Sequence, residues 1–278
     1  MHNAFSVDVE DWFQVSDFEG VVPFSAWDRY ESRVTRNTER ILALLAEYDV
    51  KATFFVLTWN AEHYPQLVRQ IADAGHEIAS HGFRHRLIYE QTPEEFRADV
   101  SRSKAVLEDI VGQEVLGYRA PSFSLTRASL WALDVLLECG LRYDSSIFPI
   151  RDRLYGIPNA RRFPFVIRAE GDRKLVEFPM TTVRVFDRNW PLGGGAYLRL
   201  LPSWYMRWGI RRVNREGQPA LIYVHPWELD TGQPRLHTNG KRGVSSHYVN
   251  LRRTEMKLRQ LLGDFSFVPV RQILGIAS

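Results

Sequence analysis

The sequence has 278 residues, a formal net charge of +3 and 45% hydrophobic residues. That length suits one large globular domain with a sizeable core, and the mixing of acidic with basic residues argues against nucleic-acid binding. The single cysteine, Cys139, excludes an intramolecular disulfide. We expect a cytoplasmic protein, because the first residues lack the basic and apolar regions of a signal peptide and no apolar run reaches the length of a membrane span.

The first half of the chain alternates short apolar runs with amphipathic segments. This alternation predicts parallel strands in a barrel or an open sheet. Thr92 and Glu95, on either side of Pro93, form a capping box that predicts a helix start. The aromatic segment 12–30 has no clear period and is predicted to be a loop that folds over the end of the first strand. The predicted strands are residues 4–9, 52–57, 77–79 and 115–118, and the predicted helices are residues 36–48, 65–75, 93–112 and 126–140.

The second half of the chain is less regular, because prolines interrupt it from Ile147 onward. The glycine run at residues 193–195 lacks the lysine and the serine or threonine of a phosphate-binding loop, so a nucleotide site there is rejected. Regular structure returns with a strand at residues 220–224, a helix at residues 254–262 and a strand at residues 265–270. No repeat or linker divides the chain into independent domains.

Two histidines suggest a metal site. His81 and His85 are spaced to lie on one side of a helical turn, where both can bind one ion. The acidic residues Asp8, Glu10 and Asp11 lie at the end of the first predicted strand or directly after it and can complete the site. Two histidines and a carboxylate leave coordination positions open, as in a catalytic zinc site. The histidine pair alone is weak evidence, because many such pairs are ordinary surface residues.

Polar side chains lie at the ends of five strand-like segments, which include the one that leads through Tyr143 into Asp144. In a barrel these strand ends lie on one face, so the side chains would converge there. Each side chain also has an ordinary interpretation, because aspartates cap turns, arginines form surface ion pairs and histidines occur in satisfied cores. Their joint placement is what favours a site. The residues concerned are Asp8, Glu10, Asp11, His81, His85, Arg119, Asp144 and His225.

These residue types suit the hydrolysis of an acyl bond without a protein nucleophile. A bound divalent metal ion would supply the Lewis acid, a free carboxylate would act as general base, and a histidine would protonate the leaving nitrogen or stabilise the oxyanion. Serine or cysteine catalysis lacks a motif here, because the chain has no Gly-x-Ser-x-Gly and Cys139 lies in an apolar helical pattern.

The motifs resemble those of the polysaccharide deacetylases of the NodB-homology type, carbohydrate esterase family 4, over roughly residues 5–228. The resemblance rests on five motifs in the family's order: residues 6–8, residues 80–85, residues 117–121, residues 143–146 and residues 221–225. It implies that the reaction removes N-acetyl groups from the amino sugars of a polysaccharide or its precursor. It also implies a divalent metal ion, with zinc as the first choice and cobalt or nickel as alternatives.

The resemblance implies a role for each motif residue. Asp8 would be the catalytic base, held by Arg119, and His225 would be the catalytic acid, with Asp144 as its partner. His81 and His85 would bind the metal. The backbone N–H of Ser122 would contribute to the oxyanion hole, and Phe123 and Trp227 are candidate substrate contacts.

The first motif departs from the family pattern, in which two adjacent aspartates serve as base and metal ligand. Here Val9 follows Asp8. Glu10 shares the face of Asp8 if the strand continues, because side chains alternate, and Asp11 shares it if the strand bulges. Both carboxylates therefore remain candidate ligands. In the third motif, Ser122 occupies a position that is usually aromatic.

The resemblance also implies an architecture, a distorted (β/α) barrel of fewer than eight strands over residues 1–228 with a C-terminal extension over residues 229–278. Residues 8–13, 190–195 and 247–250 are similar to one branch of the family, which is encoded with exopolysaccharide and exosortase (PEP-CTERM) systems. The expected partner is an N-acetylated glycan. The oligomeric state is not indicated by the sequence.

Two alternative functions are retained. A hydrolase of the same barrel family could act on a small amide, such as a cyclic ureide or formamide, although both histidines of the metal motif argue against it. A non-catalytic glycan-binding protein could keep a relic site, although the joint presence of Asp8, Arg119 and His225 argues against that.

Overall fold

The computed structural model describes residues 1–152, 154–236 and 246–277. Its strands, in chain order, are β1 (His2–Val9), β2 (Thr53–Val56), β3 (Glu77–Ser80), β4 (Gly117–Tyr118), β5 (Tyr143–Asp144), β6 (Phe165–Glu170), β7 (Arg173–Glu177), β8 (Thr182–Val185), β9 (Arg188–Pro191), β10 (Leu221–Val224) and β11 (Ser266–Val268). Its helices are α1 (Val34–Glu47), α2 (Thr58–His63), α3 (Pro65–Asp73), α4 (Pro93–Val111), α5 (Ala132–Glu138), α6 (Ala196–Leu200), α7 (Ser203–Arg215), α8 (Leu251–Asp264) and α9 (Val270–Leu274).

One sheet forms the centre of the fold. Within the described residues it has nine strands in the order β10-β1-β2-β3-β4-β5-β7-β6, and β11 pairs along β1. Every neighbouring pair is parallel except β6 and β7, which form an antiparallel hairpin. The result is a mixed α/β domain with the parallel strands that the sequence predicts, and it is consistent with the distorted barrel that the family resemblance implies. Parallel strands bring their C-terminal ends to one side, where the loops that follow them meet.

The alternation of side chains along β1 separates two environments. Phe5, Val7 and Val9 pack with apolar residues of α1 and β2 in the largest core cluster. Ser6 and Asp8 are also buried, and they lie on the opposite face of the strand because side chains alternate. This opposite face of β1 therefore carries the polar side chains of Ser6 and Asp8, whereas the first face contributes to the main apolar core.

Local signals predict several elements well. The capping box at α4 is confirmed, because the Glu95 N–H donates to Thr92 Oγ1 at 3.2 Å and the Thr92 N–H donates to Glu95 Oε2 at 3.0 Å. The helix ends at Gly112, whose φ of +66° suits glycine. The helix predicted from Thr126 is shorter than expected, because a 3-10 turn at Arg127–Ser129 precedes α5.

The aromatic segment after β1 contains short 3-10 helices and packs as a separate cluster. Trp12, Phe13, Phe18 and Trp27 are buried there with Trp59 of α2. Phe13 and Trp27 pack edge to face with ring centroids 6.0 Å apart, a favourable geometry for aromatic pairs. These contacts fix the position of the aromatic segment beside α2.

The second half of the chain contains strands and helices that the sequence pattern does not predict, because prolines interrupt that pattern. The hairpins β6–β7 and β8–β9 and the helices α6 and α7 all lie within it. Near the chain end, β11 pairs with β1 and α8 packs against α6 and α7. Residues 237–245 and Ser278 of the predicted extension lie outside the described residues. Among the described residues, no helix combines the length and the apolar character needed to cross a membrane.

Candidate active site

A cleft opens where β1, β3 and β10 end. Most of the predicted site residues line it, whereas Arg119 lies beneath Asp8, and Asp11 and Asp144 lie elsewhere. The predicted residues in the cleft wall are Asp8, Glu10, His81, His85, Ser122, Phe123, His225 and Trp227.

Glu10, His81 and His85 form the candidate metal group. Their ligand atoms all lie within 4.8 Å of one another, and Glu10 Oε1 lies 2.9 Å from His81 Nε2 and 3.1 Å from His85 Nε2. The Arg119 carbonyl lies 2.8 Å from His81 Nδ1 and can only accept, so it holds the proton on Nδ1 and leaves Nε2 free as a ligand. Two imidazoles and a buried carboxylate are a donor set that fits a divalent ion.

The charges around Glu10 favour its ionised form. Burial alone would raise the pKa of this carboxyl group, but His85, His225 and His81 lower it well below its ordinary value. An ionised Glu10 is the form that can bind a cation.

The two histidines do not share a helical turn, so that part of the prediction is wrong. His81 directly follows β3, and a loop carries the chain to His85. Gly82 has φ of +73° and His85 has φ of +57°, and these left-handed residues break any helix. The Phe83 N–H donates to Asp99 Oδ1 at 3.1 Å, which holds the loop.

Asp11 does not join the metal group, which corrects its candidacy as a ligand. Its Oδ2 accepts from the backbone N–H groups of Arg33 at 2.8 Å and Val34 at 3.1 Å, and its Oδ1 accepts from the Trp12 N–H at 2.9 Å. These contacts satisfy free N–H groups at the start of α1. Asp11 therefore holds the aromatic segment and α1 together, and Glu10 is the carboxylate beside the histidines.

Arg119 contacts Asp8, the pairing that the family resemblance implies. Its Nη1 donates to Asp8 Oδ1 at 2.6 Å and to Ser6 Oγ at 2.8 Å, and its Nε donates to the Ser145 carbonyl at 3.1 Å. The guanidinium is fully buried and lies 4.0 Å from the Phe55 ring centroid. One oxygen of Asp8 is thereby tied down, while Oδ2 lies 4.0 Å from His225 Nε2.

The partner of His225 is Glu228, not Asp144, which corrects the predicted pair. His225 Nδ1 donates to Glu228 Oε1 at 2.6 Å, and Arg199 Nε donates to Glu228 Oε2 at 2.7 Å. Arg199 and Glu228 are both buried. Arg199 Nη1 also donates to the carbonyl of His247 at 3.0 Å, so α6 and the segment before α8 meet behind the histidine.

These neighbours shift the pKa values of both groups. Burial lowers the pKa of His225, but the carboxylates of Glu10, Glu228 and Asp8 outweigh it and raise the value to about 9. Burial raises the pKa of Glu228, but the charge of Arg199 and the contacts with His225 lower it to about 2. The pair is therefore an imidazolium and a carboxylate at neutral pH.

Trp227 is part of the cleft wall but is largely covered. Its ring stacks between His225, at 5.0 Å, and His247, at 3.9 Å, both with an interplanar angle of 16°. The side chain is only 4% exposed. It thus supports the face of His225 more than it offers a surface to substrate.

Ser122 and Phe123 adopt an uncommon backbone conformation. Their φ values are +49° and +53°, which is costly for residues other than glycine and is often found at functional sites. Ser122 Oγ lies 2.8 Å from Ser16 Oγ, and the Phe123 ring packs edge to face on Tyr223 at 5.2 Å. The turn is therefore fixed on both sides at the edge of the cleft.

Asp144 instead pairs with Glu177, its register partner across β5 and β7. Ser146 Oγ donates to Asp144 Oδ1 at 2.5 Å and the Ile147 N–H donates to Glu177 Oε1 at 3.0 Å. Apart from the two carboxyl groups themselves, no N–H or O–H group among the described residues reaches the other oxygen of either one. Burial raises the pKa of Asp144 to about 6, and burial followed by the charge of Asp144 raises that of Glu177 well above its ordinary value. These raised pKa values favour one proton between the two carboxyl groups.

Replacing Glu177 with glutamine is expected to flatten the dependence of stability on pH. The native state keeps a proton on Glu177 that the unfolded chain loses above its ordinary pKa of 4.5. Stability from this proton is fully present below that value and is lost, at about 1.4 kcal/mol per pH unit, as the pH rises towards the raised pKa. Urea unfolding across the neutral range measures this slope. Glu39→Gln, on the exposed face of α1, is the control, and equal slopes for both variants would contradict the shared proton.

Two residues of the site have weak sequence signals. Glu228 lies three residues after His225, where its carboxylate also accepts from the His225 N–H at 3.0 Å, so the spacing of a capping box could have identified it. Arg199 lies in a part of the chain without a clear period, and only the tertiary contact shows its role.

Family models match successive parts of the chain. The model described as polysaccharide deacetylase matches residues 25–143. A model described as a domain of unknown function (DUF3473) matches residues 145–275. The first match contains His81, His85 and Arg119, whereas Asp8 and Glu10 precede it.

Curated relatives cover a part of this sequence. A peptidoglycan-N-acetylglucosamine deacetylase of Bacillus cereus is 33% identical over 98 residues, which are 35% of this chain and 36% of that protein. A chitooligosaccharide deacetylase of Azorhizobium caulinodans is 33% identical over 106 residues, which are 38% of this chain and 49% of that protein. The chain thus spans less than half the length of either relative.

The fold is similar to that of a Mycobacterium smegmatis protein provisionally named a polysaccharide deacetylase. The TM-score is 0.62 at 24% identity, over 98% of this chain and 88% of that one. The similarity to this structure supports the fold only. The match to the polysaccharide deacetylase model covers the part of the chain that contains His81 and His85. Residues 25–143 are thus similar to the polysaccharide deacetylase family, and residues 145–275 are similar to a family whose domain has no known function.

Proposed function

We propose that this protein is a metal-dependent deacetylase that hydrolyses the N-acetyl groups of amino sugars in a glycan and releases acetate. The observation that carries the proposal is the position of Asp8 and His225 beside the Glu10, His81 and His85 group. Asp8 Oδ2 lies 4.0 Å from His225 Nε2, and the ligand atoms of Asp8, Glu10 and His225 lie within 4.8 Å of one another. A general base and a general acid thus adjoin one candidate metal group.

Glu10, His81 and His85 would hold the ion, with zinc proposed first and cobalt or nickel as alternatives. When bound, the ion would polarise the acetyl carbonyl and make a water molecule more acidic. Asp8 would take the proton of the attacking water through Oδ2, because Arg119 occupies Oδ1. A base held by one arginine keeps a single orientation.

His225 would donate a proton from Nε2 to the amide nitrogen as the carbon–nitrogen bond breaks. Glu228 accepts from Nδ1 and so would keep the imidazole in one orientation and stabilise its charged form. The Ser122 backbone N–H, in its left-handed turn, is proposed to donate to the oxyanion, with Phe123 bounding the acetyl group and Trp227 supporting the ring of His225. No protein nucleophile is needed in this reaction, in which water supplies the oxygen of the acetate.

The region of unknown function is proposed to complete the active site. It contributes the acid His225, the carboxylate Glu228 and the buried Arg199. The division of the chain into a barrel over residues 1–228 and an extension over residues 229–278 also remains a proposal. It would make the segment around His247 a covering element added to the barrel.

The relatives support a glycan substrate, because the named activities of the two curated proteins concern peptidoglycan and chitooligosaccharides. The motif at residues 8–13 supports the narrower proposal of an exopolysaccharide or its precursor. A small amide remains the alternative substrate for the same machinery.

Acetate release from N-acetylglucosamine and N-acetylgalactosamine oligomers tests the proposal. We expect turnover by the wild type, loss on chelation, and recovery on adding zinc or cobalt. His81→Ala/His85→Ala is expected to lose both activity and bound metal, measured by mass spectrometry, because each imidazole is a ligand. His63→Ala, which removes a partly exposed histidine of α2, should keep both.

Three outcomes would contradict this function. Tight glycan binding without acetate release would favour a non-catalytic binding protein. Hydrolysis confined to cyclic ureides or formamides would favour the small-amide hydrolase. Failure of the wild type to bind zinc, cobalt or nickel would rule out the proposed metal-dependent mechanism.

A further inference from the structure

Aromatic side chains are exposed on one outer face of the second half of the chain. Trp204 and Trp208 lie one turn apart on α7 and are 68% and 37% exposed, and Phe186, at the tip of the β8–β9 hairpin, is 96% exposed. The opposite face of α7 buries Met206 and Ile210 in the main core. Single exposed apolar residues are ordinary, but three aromatic rings on neighbouring elements mark a contact surface.

The same face is basic. Arg211, Arg212 and Arg215 are exposed on α7, and within the described ranges none of them forms an ion pair. The Arg212 guanidinium lies 5.9 Å from the Trp208 ring centroid, so aromatic and basic groups are interleaved.

The hairpin tip and α7 belong to one surface. Phe186, Arg184, Arg212 and Arg215 line the same shallow depression, and β8 contacts α7. We name this surface the aromatic–basic face; it consists of Arg184, Phe186, Trp204, Trp208, Arg211, Arg212 and Arg215. The acidic groups beside it are already engaged, because Asp187 pairs with Arg184 at 3.4 Å and Glu216 pairs with Arg162 at 2.8 Å.

The composition of this face matches the headgroup region of a bilayer. Tryptophan is favoured there because its ring is apolar and its N–H is polar, and arginines are attracted to the phosphates of anionic lipids. A phenyl ring at a hairpin tip can enter the acyl boundary without burying backbone groups. A twofold contact with a second copy is disfavoured, because it would place the arginines of one copy against those of the other.

We propose that the aromatic–basic face binds the surface of bilayers that contain anionic phospholipids. The rings of Phe186, Trp204 and Trp208 would enter the headgroup layer while the arginines pair with phosphates. This is attachment to one leaflet and involves no membrane-spanning segment. The inference does not rest on the proposed deacetylase activity, because it uses none of the cleft residues.

Co-sedimentation of the full chain with vesicles tests the proposal. We expect binding to phosphatidylcholine vesicles that contain phosphatidylglycerol, weak binding to pure phosphatidylcholine, and loss of binding at high salt. Arg211→Gln/Arg212→Gln/Arg215→Gln should lower the partition coefficient by roughly a hundredfold, because each basic group contributes separately at the surface. Trp204→Ser/Trp208→Ser should lower it by roughly tenfold or more and abolish the blue shift of tryptophan emission on binding.

The matched control is Arg69→Gln/Arg127→Gln/Arg142→Gln, which removes the same charge from exposed positions on other elements and should bind like the wild type. Where the triple arginine variant unfolds at lower temperature, Arg211→Lys/Arg212→Lys/Arg215→Lys keeps the charge and must retain most of the binding.

Several results would overturn the proposal. Equal partition into neutral and anionic vesicles would do so, as would equal losses in the control variant. Sedimentation equilibrium gives the third test. A wild-type dimer that becomes monomeric in Trp204→Ser/Trp208→Ser would assign the face to a second copy of the chain. Because vesicle binding needs no turnover, its failure is distinct from failure of the deacetylase function.

Discussion

Replacing Glu10 with glutamine is expected to weaken metal binding strongly, whereas replacing Asp11 with asparagine is expected to preserve it. Glu10 Oε1 lies within 3.1 Å of both ligand nitrogens of the histidine pair. The amide of glutamine is neutral and a poor ligand, so we expect the affinity for zinc to fall by roughly a hundredfold or more. Acetate release should fall with it. Metal content by mass spectrometry and zinc titration by calorimetry measure the change.

Asp11→Asn should instead lower stability. The amide nitrogen cannot accept from the N–H groups that Asp11 now holds at the start of α1, and an unsatisfied buried group costs about 1–3 kcal/mol. We expect a lower melting temperature with metal still bound. Loss of metal in Asp11→Asn with retention in Glu10→Gln would reverse the ligand assignment.

Replacing Glu228 with glutamine is expected to lower kcat for acetate release by roughly 10²–10⁴, the range of a misoriented or weakened acid catalyst. The glutamine amide can present its N–H₂ group to His225 Nδ1 and favour the wrong tautomer. KM should change little, because Glu228 is buried behind the histidine and has no surface to offer substrate. Steady-state kinetics on a soluble oligomer separate the two constants.

Asp144→Asn is the matched comparison, because Asp144 is the other buried carboxyl that was considered as the partner of His225. Its amide can replace the shared proton towards Glu177, so we expect kcat within about tenfold of the wild type. Glu228→Asp should recover part of the rate lost in Glu228→Gln. A large loss of kcat in Asp144→Asn together with a small loss in Glu228→Gln would instead assign Asp144 as the partner of His225. Melting temperatures exclude simple unfolding as the cause.

The parts of the fold predicted from sequence are those with strong local signals. Strands such as β1 and β2 are short apolar runs, and α4 has a capping box and a glycine stop, so each can be recognised from its own residues. The hairpins of the second half could not be predicted in this way. Their strands are partly exposed and interrupted by polar residues, and they are stabilised by pairing with one another.

The site follows the same division. Its residue types and their order along the chain were determined by the sequence, because each follows a recognisable strand, and Asp8, His81, His85 and His225 do meet in one cleft. Only the tertiary structure determined which carboxyl groups contact these residues. Asp11 accepts from an N–H group at the start of α1, and Asp144 pairs with Glu177. Each buried carboxyl group bonds to the donor or the carboxyl partner that lies nearest to it in the packed structure.

Glu228 and Arg199 illustrate the physical reason. They lie 29 positions apart, and Arg199 Nε contacts Glu228 Oε2 at 2.7 Å because α6 starts beside β10, where the Gly195 N–H donates to the Tyr223 carbonyl at 3.1 Å. A sequence pattern records periodicity and local spacing, which determine strands, helices and caps. The pairing of buried charges depends on distances between separate elements, and those distances exist only once the core has packed.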